Sequence, residues 1–193
     1  YGGNESSVDW LNVSGGAFGA HEQACVFDAG LTGSPGDGGY VTLFLTVTNN
    51  SAVSPLQMSL FHYVVFDVEP NAPDDTASWI EWPRLFEIYD APHTASYLAE
   101  PAPIFHRVAA HPAVVNQLND AAHDTLTNSG TPFGPADFSA AVQWVLNIPP
   151  NAAFEAKVTL AVNTPLRCGG PLNDGIFCDG FESANRSFWH SVP

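Results

Sequence analysis

The run YVTLFLTVTNN, Tyr40 to Asn50, constrains the fold more than any other stretch of this chain. Val41, Leu43, Leu45 and Val47 alternate there with Thr42, Phe44, Thr46 and Thr48. A period of two with many β-branched residues specifies an extended strand, because successive side chains leave opposite faces of the backbone. The next run, LQMSLFHYVVFDVE, repeats the pattern: Leu56, Met58, Leu60, His62, Val64, Phe66 and Val68 share one side. Gln57, Ser59, Phe61, Tyr63, Val65, Asp67 and Glu69 take the other, which is apolar enough to predict a central strand. WIEWPRLFEIY reads as a strand with Pro83 at an edge or bulge. Further on, Val142, Trp144, Leu146 and Ile148, then Pro149-Pro150-Asn151, then Phe154, Ala156, Val158, Leu160 and Val162 predict a hairpin. A single helix is expected near residues 112–126: Pro112 suits its first turn, and Val114, Leu118, Ala121 or Ala122, and Thr125 return at helical steps. Many strands with one short helix predict an all-β fold, an antiparallel β-sandwich of immunoglobulin-like or jelly-roll type. The expected organisation is a Gly/Ser-rich N-terminal segment over 1–39, a sandwich core over 40–165 and an acidic tail over 166–193.

Charge then narrows the partners. The formal net charge is −15 and Lys157 is the only lysine, beside Arg84, Arg107, Arg167 and Arg186. Nucleic acid and anionic membranes need cationic neutralisation and are disfavoured, whereas calcium or another hard cation suits such a surface. No run of 18 apolar residues occurs, so no spanning helix is expected. A start at Tyr1, three cysteines and one lysine together lead to the expectation of a secreted protein, extracellular or at the cell surface.

The candidate sites begin at the tail, RCGGPLNDGIFCDGFES. Cys168 and Cys178 flank a glycine-rich loop that closes easily, so a disulfide is expected between them. Cys25 is left over as a buried free thiol, a bridge to another subunit, or the true partner of one of those two. Asp174, Asp179 and Glu182 surround the tail loop and are candidate calcium ligands. Asp67, Glu69, Asp74 and Asp75 form a second, weaker acidic loop. His21, Glu22 and Cys25 lie close in sequence, which would suit a transition metal. No Cys-x-x-Cys, His-Glu-x-x-His or Gly-x-Ser-x-Gly motif occurs, and no catalytic constellation is assembled, so the expectation is a non-enzymatic protein. Trp79 and Trp82 are the tryptophans best placed to stack on sugars.

Two segments carry resemblances. VTLFLTVTNNSAVSPLQMSLFHYVVFDVEPNAPDDTA together with NSGTPFGPADFSAAVQWVLNIPPNAAF resembles exported bacterial β-sandwich proteins of the kind associated with PEP-CTERM sorting tails, over roughly residues 40–163. The resemblance implies that each segment supplies a hairpin to the sandwich. No Pro-Glu-Pro, apolar helix and basic tail follows here. The segment NDGIFCDGFES is instead similar to an IFxDGFE segment near the C-termini of secreted proteins of the Xanthomonas–Lysobacter group, which implies export rather than an activity.

Edge protection decides between functions. Solitary sandwiches guard open strand edges with lysine, proline or inward charge, and one lysine leaves little for that purpose. The leading expectation is therefore a homopolymeric, head-to-tail structural subunit of an extracellular fibre or surface layer, assembling by strand donation. Val8, Trp10, Leu11 and Val13, with Phe188 and Trp189, are the expected assembly residues. The alternative is a secreted module that binds a polysaccharide or calcium.

Overall fold

The alternating runs do form strands, and these make two sheets. The structure, a computed structural model, describes residues 4–28, 38–66, 74–81, 84–90, 92–120 and 122–164. Its strands are β1 (Asn4–Asn12), β2 (Phe18–Asp28), β3 (Gly39–Asn49), β4 (Leu56–Phe66), β5 (Thr76–Ile80), β6 (Leu85–Asp90), β7 (His93–Glu100), β8 (Phe105–Ala110), β9 (Phe138–Ile148) and β10 (Ala153–Val162). One irregular turn, α1 (Val13–Gly16), joins β1 to β2, and a short helix, α2 (Ala113–Leu118), follows β8.

Among the described residues the larger sheet has the order β1-β2-β3-β10-β7-β6-β5 and the smaller β4-β9-β8, with all pairs antiparallel. One core fills the space between them. Phe66, Phe138, Val142, Trp144 and Ile148 from the smaller sheet meet Val47, Phe86, Ile88, Tyr97 and Val158 from the larger. This is an all-β sandwich. The outer face of the smaller sheet carries a second, smaller core, where Val114 of α2 and Leu126 close over Ala141, Phe61 and Phe105.

Several sequence expectations change in detail. Neither expected hairpin of the long runs forms. β3 and β10 are neighbours in the larger sheet while β4 and β9 pair in the smaller, so the links β3→β4 and β9→β10 are both arches from sheet to sheet. Asn49, 2% exposed, holds the two arches together. Its Nδ2 donates to the carbonyls of Ser54 (2.9 Å), Ile148 (3.0 Å) and Pro149 (3.1 Å), and its Oδ1 accepts from the Ser51 amide at 2.9 Å. β4 is not central but lies at a border of the smaller sheet, and β9 takes the middle, buried on both faces from Phe138 to Trp144. The run from Trp79 to Tyr89 is two strands rather than one: β5 folds back on β6, setting Trp79 opposite Phe86. The helix stops at Leu118, well short of residue 126, although Leu126 still packs beside Val114. The N-terminal segment belongs to the sandwich, since β2 pairs with β3 from Phe18 to Asp28.

The segment after α2 closes one side of the molecule. Ala77 and Phe133 exchange two backbone hydrogen bonds at the border of β5, and the Ser129 carbonyl accepts from Val108 at the border of β8. Gly130 fits there because a Cβ would stand 1.8 Å from the Val108 carbonyl oxygen. Two borders, β1 and β4, carry no further strand among the described residues.

Candidate functional site: the open edge strand

β1 is amphipathic only in part. The pairing of Val8 with Glu22 and Trp10 with Ala20 puts both on the face that continues the core side of the sheet, since Ala20 pairs in turn with buried Val47. The smaller sheet does not cover that face here, because Val8 remains 49% and Trp10 46% exposed. Leu11, on the opposite face, is 78% exposed, and Val13 in the adjoining turn is half-buried. Asp9 and His21 lie opposite each other across β1 and β2, and His21 Nδ1 donates to Asp9 Oδ1 at 2.8 Å. The result is a nine-residue border strand with three exposed apolar side chains and neither lysine nor proline.

The cations are occupied elsewhere. Lys157 lies mid-sheet on β10, paired with Glu100 at 2.6 Å. Arg84 donates to the Pro103 carbonyl at 2.7 Å, and Arg107 donates to Gln117 Oε1. Arg167 and Arg186 lie outside the described residues. No described Lys or Arg stands on β1 or β4.

The other candidate residues separate. Trp79 is half-buried: its ring packs against the core and stacks on His106 with centroids 4.0 Å apart. Trp82 lies outside the described residues. Of the weaker acidic loop, Asp74 is exposed and Asp75 is buried, while Asp67 and Glu69 lie outside the described residues. Asp174, Asp179, Glu182, Cys168, Cys178, Phe188 and Trp189 lie outside them too. His21 and Cys25 project from the opposite face to Glu22, so these three cannot converge on one ion. Among the described residues no group of three or more His, Cys, Asp or Glu is arranged to hold a metal. Cys25 is buried opposite Thr42 and has no disulfide partner among the described residues. No described helix is long and apolar enough to cross a membrane.

Two features had no sequence signal. One is a buried aromatic network, in which Tyr97 hydrogen-bonds His62 Nδ1 at 2.9 Å and contacts Phe66 and Phe86, with Trp79 and His106 beyond. Alternation put His62 on the apolar side of its strand, but its partner stands 35 residues away. The other is a cleft beside α2, whose residues come from three separate segments. No family model matches the chain, and no curated protein matches it either.

Proposed function

We propose that this protein is a non-enzymatic structural subunit, exported and assembled with copies of itself into a fibre or surface layer by pairing of strand edges. The observation that carries this reading is β1, a border strand among the described residues that has neither lysine nor proline and leaves Val8, Trp10 and Leu11 exposed. An open strand presents a row of unsatisfied amides and carbonyls, and a second strand satisfies them while burying the side chains beside them. The sequence of β1 tolerates its own antiparallel copy. Centred on Val8, such a pair sets Ser6 against Trp10, Ser7 against Asp9 and Glu5 against Leu11, so no carboxylate faces a carboxylate. The second open border, β4, gives each subunit another edge, and two different edges per subunit propagate an open polymer rather than a closed dimer.

The net charge of −15 opposes association, and salt screens that repulsion over about 10 Å at 0.1 M. Sedimentation velocity is therefore expected to show concentration-dependent species above 20.6 kDa that grow as salt or calcium is added. Val8→Lys, placed on an exposed border position, is expected to shift the population to monomer without lowering the melting temperature. A wild-type protein that sediments as a monomer at every protein, salt and calcium concentration would sink the proposal.

A further inference from the structure

The outer face of the smaller sheet is only partly roofed. α2 and Leu126 cover its β8 side, and a cleft of about 710 Å³ remains over β4 and β9. Gln57, Ser59 and Phe61 from β4 and Asn147 from β9 line it, facing His123 and Asp124. That volume is in the usual range for small-molecule sites, about 300–1,000 Å³.

Two of its polar groups are held in fixed roles. Arg107 can only donate, and it donates to Gln117 Oε1, which turns the Gln117 amide nitrogen toward Asp124. Gln117 Nε2 then donates to Asp124 Oδ1 at 3.0 Å, leaving Oδ2 as an acceptor. Deeper, fully buried Gln143 accepts from the Leu126 amide at 2.8 Å and donates to Ser59 Oγ at 2.9 Å. The Ser59 oxygen is thus an acceptor toward the protein, and its own proton is left to donate. Carboxylate, hydroxyl and the two side-chain amides of Gln57 and Asn147 stand beside the apolar ring of Phe61. Paired donors and acceptors next to an apolar surface match the hydroxyls and C–H face of a sugar ring.

We propose that this cleft binds a neutral carbohydrate, as a short stretch of polysaccharide. Among the described residues the lining contains one carboxylate and no Lys or Arg, in a chain of net charge −15, which disfavours polyanionic glycans. The inference does not rest on strand pairing at β1, because the cleft's residues belong to one chain and lie on or over the smaller sheet. The cleft shares β4 with the second open border, so the titration is made on monomeric protein at low salt.

The test is a titration of the full chain, followed by amide chemical shifts, with a pool of neutral gluco-, xylo-, manno- and chito-oligosaccharides and, separately, with oligogalacturonate. Shifts are expected at Ser59, Asn147 and Asp124 with the neutral pool. Asp124→Ala is expected to weaken binding at least tenfold. Gln117→Ala, which frees the carboxylate without removing it, is expected to weaken binding less. Gln57 is exposed, so Gln57→Ala leaves folding intact and is expected to weaken binding as well. Absence of shifts with every neutral sugar at millimolar concentration, preference for oligogalacturonate, or full affinity in both Asp124→Ala and Gln57→Ala overturns the proposal.

Discussion

Replacing Asn49 by aspartate is expected to lower the unfolding free energy by about 4 kcal/mol, and replacing it by alanine by about 3 kcal/mol. The side chain is 2% exposed and stands where both arches pass between the sheets. Its two N–H bonds are shared among three carbonyl oxygens, and its carbonyl holds the Ser51 amide. The main chain adds to this link, with Asn49 donating to the Ala152 carbonyl at 2.9 Å and Asn151 to that of Ser51 at 3.0 Å. Alanine removes every side-chain bond, taking a donor from the buried Ile148 carbonyl at about 1–3 kcal/mol before relaxation, and the donors of the part-buried Ser54 and Pro149 carbonyls at less. Aspartate does worse, since it sets carboxylate oxygens against carbonyl oxygens in a site with little access to water. Asn50 is the control. It is exposed and makes one side-chain bond, to the Gly16 carbonyl at 3.2 Å, so Asn50→Ala is expected to cost no more than about 0.5 kcal/mol. Urea midpoints measure both; an Asn49→Ala midpoint equal to wild type would show that the arches do not depend on this amide.

That residue also marks the limit of what the sequence carried. Alternation is local and located the faces correctly: Leu56, Met58, Leu60 and Val64 do turn toward the core, and Trp144 is buried within it. Whether two successive strands pair or cross between sheets is not local. Pro149-Pro150-Asn151 follows β9 as a tight link would follow the first strand of a hairpin, but the chain there passes to the other sheet and is held by a side chain 100 positions upstream. The same limit applied to Trp79. Its place in a strand was legible, but the His106 ring that occupies its face comes from β8. The cleft was hidden for a related reason. Gln117 was read as part of a longer helix, and the unwinding after Leu118 is what brings Asp124 back to meet it.

The distribution of cations ties fold to proposal. A lysine on an exposed border strand costs little and discourages pairing, yet the only lysine here is spent on Glu100 in the interior of the larger sheet. The borders that do carry protection, β5 and β8, are covered by backbone from residues 129–136 rather than by charge. Protection by covering on one side and exposure on the other gives the sandwich a polarity. β1 and β4 are the two borders left for a neighbour among the described residues.

Acid is expected to destabilise the fold through His62. Burial lowers its pKa from 6.5 to about 4, so the ring is neutral in the folded chain at pH 7. Burial holds the Tyr97 phenol protonated, and its hydroxyl is hydrogen-bonded to His62 Nδ1; in the tautomer with its proton on Nε2, that nitrogen accepts from Tyr97. Protonating His62 would turn the acceptor into a donor and place a charge between the sheets. Because the folded value lies below the unfolded one, the stability from this group is fully present above pH 6.5 and is lost as pH falls toward 4. At about 1.4 kcal/mol per pH unit between the two values, the loss approaches about 3 kcal/mol below pH 4. His106 adds in the same direction: desolvation lowers its pKa, with Glu81 opposing and Arg84 assisting. Relief of the −15 charge in acid acts the other way, so the decisive quantity is a difference between variants. His62→Gln keeps an acceptor for Tyr97 but does not titrate. Its urea midpoint is expected to lie slightly below wild type at pH 7.5 and above it at pH 4.5. Parallel pH profiles for the two proteins would mean that His62 does not carry the acid response.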